Sequence, residues 1–315
     1  MGNNYSHPNE RKQKKSCSSN SSRPSSAHQF FINDPSPATG ISKMDEDNKY
    51  FLPAIREEVD RLQSLHFLLH HIWQSNFSSA MEEKLQRGGA KVLDVGCGPG
   101  TWVLEMATNY PLSSFTGIDI SATFPIEIKP QNATFIQANI FDGLTYPDSH
   151  FDFIYLRHLA VALTDEQWQK TVMIELVRIL KPGGMIEIME SDVHWSKEGP
   201  ILQNFMRIYI EDLGSRGIDL STVKEIPELL RHNNRLVDFH QDMRQYSIGK
   251  WAGRVGELAA DNAVQMFRIL KCRYAATLRC SNDEYEILLS KLLNEIDEFQ
   301  PHTNSYRFWA TKIIL

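Results

Sequence analysis

The stretch Val92-Leu93-Asp94-Val95-Gly96-Cys97-Gly98-Pro99-Gly100-Thr101 holds the residue types and spacing best suited to chemistry. Glycine stands at 96, 98 and 100. A backbone without Cβ atoms turns tightly and lets a ligand approach closely. The apolar run before the glycines reads as a buried strand and the residues after them as a helix. The first N–H groups of that helix have no intrahelical partner, so its start favours an anionic or polar ligand. Asp94 lies within the strand, where burial demands partners that offset desolvation. Loop N–H groups and a ligand cation would both serve. Asp119 falls near the end of the next apolar run, Phe115–Ile120, where a carboxylate accepts hydrogen bonds from the two hydroxyls of a ribose.

Dinucleotide sites use G-x-G-x-x-G, which would require glycine at 101. Thr101 stands there instead, which argues against a nicotinamide-dependent oxidoreductase. The cysteines, Cys17, Cys97, Cys272 and Cys280, match no zinc spacing and are too few for a disulfide scaffold. No metal site is expected, and Cys97 reads as a small buried residue without a redox role.

The elements that must position these residues alternate. Val92–Val95, Phe115–Ile120, Thr134–Ala138, Phe151–Leu156 and Met185–Glu190 read as short buried strands, separated by helical or turn segments. The clearest helix spans 165–180. Thr164 caps it with Gln167 three residues on, Trp168, Val172, Leu176 and Ile179 form its apolar face, and Lys181-Pro182-Gly183-Gly184 stops it. Such alternation implies a parallel sheet with right-handed crossovers. Upstream, residues 53–73 and 79–87 read as helices. Downstream, 193–315 is mostly helical, with strand-like stretches at Leu236–Ile248 and Tyr306–Ile314. The organisation predicted is a tail over 1–48, a helical segment over 49–89, an α/β core over 90–192 and a helical region with two further strands over 193–315.

The glycine stretch resembles the first motif of class I S-adenosylmethionine-dependent methyltransferases, of the form (V/L)LDxGCGxG. Gln137-Ala138-Asn139-Ile140 resembles the segment of that family that reads adenine, with Asn139 where many members have Asp. Phe151–Arg157 resembles the fourth strand, and Leu180-Lys181-Pro182-Gly183-Gly184 the turn before the fifth. These cover about residues 90–192. Further out, Tyr50-Phe51-Leu52-Pro53, Glu58–Gln63 and His66 look like the entry helix of fungal methyltransferases, a group with enzymes and regulators of secondary metabolism. Ile248–Leu258 resembles their C-terminal region.

The resemblance implies a Rossmann-like sheet of seven strands with helices on both faces, an N-terminal helical lid and a helical cap. It implies S-adenosylmethionine as cofactor, held by Asp94, Gly96, Cys97, Gly98, Gly100, Asp119, Ile120, Asn139, Ile140 and Arg157. Arg157 is expected to face either the cofactor carboxylate or the substrate, and Tyr50 to cover the cofactor. The function implied is methyl transfer to an unidentified, small organic acceptor. The alternative is a cofactor-binding regulator or scaffold of secondary metabolism. No catalytic base stands out: His158, Glu190, His194 and Tyr246 fall near the expected pocket mouth, each more readily explained as structural. Positioning supplies much of the rate in an in-line displacement.

Charge and the N-terminus bound the partners. Lys plus Arg number 33 against 39 Asp plus Glu, a net charge of −6, so no nucleic-acid partner is expected. No apolar run is long enough to span a membrane and no secretory leader is evident, so a cytoplasmic protein is expected. Residues 1–48 are rich in Ser, Asn, Lys and Pro and read as disordered. Met1-Gly2-Asn3-Asn4-Tyr5-Ser6 fits the N-myristoylation pattern, with Arg11, Lys12, Lys14 and Lys15 as a basic second signal and Cys17 as a further acylation site. Peripheral membrane contact through Gly2 is one reading, and a polar tail that begins Met-Gly is the other. Oligomeric state is not legible.

Overall fold

In a computed structural model of the chain, residues 52–314 are described. The tail, Gly2, its basic cluster, Cys17 and Tyr50 lie outside them.

The core is a sheet of seven strands: β1 (Lys91–Val95), β2 (Ser114–Asp119), β3 (Ala133–Gln137), β4 (Phe151–Arg157), β5 (Leu180–Ser191), β6 (Leu236–Ser247) and β7 (His302–Lys312). Their order is β3-β2-β1-β4-β5-β7-β6. The first five pair in parallel, while β7 runs antiparallel to both β5 and β6. The β1–β4 neighbourhood is where the order reverses, and open α/β sheets bind ligands outside the strand carboxyl ends at such a point.

Successive side chains of a strand face opposite sides. Leu93, Val95, Ile154, Leu156, Ile186 and Ile188 pack on one face, against Met173, Leu176 and Val177 of α5 (Met173–Ile179) and Ile226 of α7 (Thr222–Arg231). Val92, Phe115, Phe153, Tyr155 and Met189 pack on the other, against Trp102, Val103 and Met106 of α3 (Thr101–Asn109), Leu69 and Trp73 of α1 (Arg56–Trp73), and Leu85 of α2 (Glu82–Arg87). Central parallel strands need such cover on both faces, which is why β4 is buried along nearly its whole length. The expected fold is the observed one. The two strand-like C-terminal stretches are β6 and β7.

The helix expected over 165–180 carries an interruption. α4 (Asp165–Gln167) starts with the Thr164–Gln167 capping box, a π-helical turn covers Trp168–Val172, and α5 follows. Single π turns inside helices are frequent beside functional sites. Gln167 and Val172, one before the turn and one ending it, both reach the cavity described below. The two upstream helices also begin later than the periodicity predicts, at Arg56 and Glu82.

A helical layer packs over the carboxyl ends of the strands. It comprises α6 (Pro200–Gly214), α8 (Gly253–Ile269), α9 (Lys271–Thr277) and α10 (Asn282–Phe299), with a separate core around Phe205, Phe267, Tyr285 and Leu289. α1 is tied down at both ends. Near its start, Arg61 donates to both Glu58 oxygens at 2.6 Å and to Oδ1 of Asn262 on α8 at 3.1 Å. At its other end, the buried Arg307 of β7 stacks 4.4 Å from the Trp73 ring and donates to Ser75. Neither cation lies exposed, so both ties act at low dielectric, where paired charges hold firmly and unpaired ones are costly.

Candidate functional site

The glycine turn leaves β1 and enters α3. Gly96 and Gly100 both have positive φ, at 69° and 76°. A Cβ on Gly96 would lie 2.5 Å from Leu159, and one on Gly100 would lie 2.5 Å from the Phe135 ring. Glycine is required twice over here, by backbone conformation and by space.

Gly98 turns its N–H onto Oδ2 of Asp119 at 2.8 Å, and Ser121 N–H binds Oδ1 at 2.8 Å. Burial raises the Asp119 carboxyl above its ordinary range, opposed by these N–H donors. The Ile120 N–H also reaches this carboxylate, and the three donors do not fill its roughly four acceptor sites.

For Asp94 the structure differs from expectation. The loop N–H groups do not reach it: those of Gly96 and Cys97 go to Ile118 O, that of Gly98 to Asp119 and that of Gly100 to Cys97 O. Among the described residues no hydrogen bond satisfies its carboxyl, which is 4% exposed. Burial pushes Asp94 up to about 8, with Arg157 opposing and Asp119 adding to the rise.

Thr101 was informative in the sequence only for what it excludes. Its Oγ1 is buried and without a partner in the cavity wall, at the first residue of α3. No local pattern marks this hydroxyl.

These groups surround a cavity of ≈ 400 Å³, within the usual range of ligand pockets. Gly96, Cys97, Gly98, Asp119, Ile120, Asn139, Ile140 and Arg157 line it; Asp94 and Gly100 lie behind that wall. Cys97 is buried, and its thiol is held well above the ordinary range by burial and by the Asp94 and Asp119 charges. Asn139 spends Oδ1 on the Phe141 N–H at 3.1 Å, capping the short 3-10 turn Ile140–Asp142. Only the second lone pair of that oxygen, and its amide, remain for a ligand. Leu62 and Leu65 of α1, Tyr209 of α6 and Met266 of α8 close the opposite side. Their positions are remote in sequence, and nothing local signals that they meet here.

Arg157, at the end of β4, donates NH1 to Nδ1 of His66 at 3.1 Å, and His66 Nε2 meets Glu105 Oε2 at 2.6 Å. An Nδ1 that accepts from a guanidinium bears no proton, so Nε2 carries it and donates to Glu105. Burial first, and then Arg157, lower His66 to about 4, against the opposing pull of Glu105. It is therefore a neutral bridge from α1 to β4 and α3. His66 lies within the α1 motif noted above, but its spacing alone assigns it no such role.

A second chamber of ≈ 170 Å³ adjoins the first. Arg61, Leu65, His158, Val161, Tyr209 and Met266 line both. Glu190 and Tyr246 are in its wall, whereas His194 is largely exposed and pairs with Glu198. Glu190 is fully buried and raised to about 8 by that burial, although Leu159 and Ala160 N–H groups donate to its Oε1 at 2.8 and 3.0 Å.

Sheet order, glycine turn and the acidic end of β2 are those expected of a class I S-adenosylmethionine-dependent methyltransferase domain. Residues 92–184 match the methyltransferase domain family. S-adenosylmethionine is its cosubstrate, and the residues present fit it: a glycine cradle, an orphan hydroxyl at a helix start and a carboxylate at a strand end, with a second buried carboxyl behind the turn.

Similar proteins include fungal ones. The chain is 30% identical over 149 residues to the secondary metabolism regulator laeA of Coprinopsis cinerea, covering 46% of this chain and 36% of that protein. It is 30% identical over 155 residues to methyltransferase pytC of Aspergillus terreus (48% and 45% covered). It is 26% identical over 261 residues to the N-methyltransferase tcpN of Claviceps purpurea (77% and 90%). The match thus spans less than half the length of the first curated relatives. Among solved structures, the phosphoethanolamine N-methyltransferase 2 of Haemonchus contortus with S-adenosyl-L-methionine is similar at 17% identity and TM-score 0.45, covering 84% of this chain and 61% of that one.

Proposed function

We propose that the chain transfers the methyl group of S-adenosylmethionine to a small organic acceptor held beneath the helical layer. The observation that carries this reading is the adjacency of the two cavities, which share six wall residues at the switch point of the sheet. One is walled by the glycine turn and Asp119; the other is smaller and lined by α6, α8 and the end of β5.

The bound cosubstrate supplies a methyl group already activated on a sulfonium. What the chain provides is binding, orientation and exclusion of water. In this reading Asp119 receives the ribose hydroxyls. Asp94 receives the methionine ammonium, while Thr101 and the start of α3 receive its carboxylate. Ile120, Asn139 and Ile140 flank the adenine. Arg157, held by His66, faces the carboxylate end. Holding two reactants at one junction accounts for large rate gains without a dedicated base.

The test is calorimetric titration with S-adenosylhomocysteine, with NADH as control. Selective binding of the sulfur nucleoside supports the reading; its absence ends it. A second reading, a cofactor-binding regulator, draws on the similarity to laeA. Binding without turnover of any small acceptor, together with co-purifying protein partners, favours that one.

A further inference from the structure

This inference rests on the methyl-transfer reading and concerns how the wall of the cofactor cavity is held. We propose that Glu190 is a positioning residue for methyl transfer: with one carboxyl oxygen it fastens the segment that follows β4 against the glycine turn.

The chain path creates the need. β4 ends at Arg157, opposite Met189 of β5, while β5 runs on through Glu190 and Ser191. The His158 N–H still reaches Met189 O at 3.0 Å. His158 then takes a φ of 55°, in the left-handed region, and the chain turns out of the sheet. Beyond that point no backbone carbonyl among the described residues receives the N–H groups of Leu159 and Ala160. Buried backbone donors need partners, and Ala160 is buried.

Glu190 supplies the partner. Its Oε1 accepts both N–H groups, that of Leu159 at 2.8 Å and that of Ala160 at 3.0 Å. The Ala162 N–H returns to Leu159 O at 2.9 Å and closes the turn. Leu159 is thereby seated on the cradle, so close that a Cβ on Gly96 would lie 2.5 Å from its Cδ2. Arg157, His158, Leu159, Val161, Ala162 and Leu163 all line the cofactor cavity. Glu190 stands behind that wall and lines the inner chamber instead.

A carboxyl performs this duty with or without its proton. Burial raises Glu190 to about 8. With two N–H donors on Oε1, a bound proton belongs on Oε2, and Oε1 accepts in either state. A glutamine amide offers the same carbonyl oxygen. An apolar side chain of similar size leaves two donors unpaired.

The contact at Gly96 makes the effect selective. In the proposed reading the turn beside Asp94 receives the amino-acid end of the cosubstrate, while Asp119, Ile120 and Asn139 receive the nucleoside. Loosening the 158–160 segment should therefore weaken S-adenosylhomocysteine more than adenosine.

The experiment compares the full native chain with Glu190→Gln and Glu190→Leu. Calorimetry reads S-adenosylhomocysteine directly and adenosine by displacement. Amide exchange followed by mass spectrometry reads the 157–163 segment without ligand. Glu190→Leu is expected to speed exchange there while β1 and β4 stay protected, and to lose S-adenosylhomocysteine by about tenfold, the scale of one lost hydrogen bond. Adenosine is expected to lose less. Glu190→Gln is expected to stay near native in all three. Should Glu190→Leu not fold, Glu190→Asp, one methylene shorter, takes its place with the same expectations. The proposal is overturned if S-adenosylhomocysteine binds Glu190→Leu as it binds the native chain, if both ligands weaken equally, or if Glu190→Gln fails as Glu190→Leu does. A native chain that ignores S-adenosylhomocysteine ends the methyl-transfer reading and this proposal with it. Binding that is equal in native and Glu190→Leu chains ends this proposal alone.

Discussion

Arg157 and His66, 91 positions apart in the chain, meet at 3.1 Å, with the guanidinium donating to Nδ1 of the ring. The contact ties the end of the fourth strand to the helix that covers the glycine turn. It also fixes the Arg157 charge where it acts on Asp94. Replacement of His66 by Phe removes this acceptor and the donor to Glu105. S-adenosylhomocysteine affinity is expected to fall roughly tenfold, as for loss of a buried charged hydrogen bond. His66→Gln retains a donor and an acceptor and is expected to recover most of it. Equal loss in both variants, by calorimetry, would show that His66 only fills space.

Asp94 makes binding proton-linked. Its carboxyl titrates at about 8 in the free protein, so it is mostly protonated below that pH. Receiving an ammonium requires the ionised form, so binding releases a proton. Affinity is then expected to climb up to about tenfold per pH unit between roughly pH 6 and 8, and to level off above about 8, where Asp94 is already ionised. Calorimetry at about pH 6.5 in buffers of different ionisation enthalpy should report close to ~1 proton released. Asp94→Asn is expected to release none.

Two buried neutral histidines set an acid limit on stability. His66 is lowered to about 4 and His158 to about 3, both first by burial. Between those values and the ordinary 6.5, the unfolded chain binds more protons than the folded one. The stability these two rings contribute should therefore be lost as pH falls through that window. Asp94 and Glu190, both raised to about 8, act in the opposite sense over the same range, so the test is the difference between two chains. The urea midpoint of the native chain relative to His66→Gln should fall from about pH 7 to 4.5, and a difference that does not change with pH would contradict the uncharged state of His66.

Gly100→Ala meets the Phe135 ring at 2.5 Å and asks alanine for a φ of 76°. Positive φ costs about 1–3 kcal/mol for a residue with a side chain, and overpacking costs about 1–3 kcal/mol more. A loss of roughly 2–5 kcal/mol is expected on chemical denaturation, on those two grounds together. A loss well below that range would mean that Phe135 moves aside freely.

Asp119 has two duties that one substitution can separate. Its oxygens hold the N–H groups of Gly98 and Ser121, so Asp119→Ala loosens the turn as well as removing an acceptor. Asp119→Asn keeps one acceptor for the turn. It is expected to lose less thermal stability than Asp119→Ala, since one of the two N–H groups keeps its acceptor, and still lose S-adenosylhomocysteine binding by at least about tenfold. Binding that survives Asp119→Asn would assign the ribose to another residue.

What the sequence determined by itself is local in origin. Five apolar runs, the spacing of Gly96, Gly98 and Gly100, and an acid at the end of the second run are enough for a parallel sheet and a ligand at its carboxyl edge. Each follows from short-range rules: side-chain alternation, positive φ and the unpaired N–H groups of a helix start. The Thr164–Gln167 capping box was legible for the same reason. Tertiary structure alone decided the rest. Which acceptor takes the Gly98 N–H depends on Asp119, 21 residues away on the neighbouring strand, rather than on Asp94 beside the turn. That Thr101 carries an orphan hydroxyl, that His66 bridges Arg157 and Glu105, and that His158 stands between two cavities are facts of packing between elements distant in sequence. Burial and the partners left available to a polar atom are properties of the assembled chain, and no spacing along it encodes them.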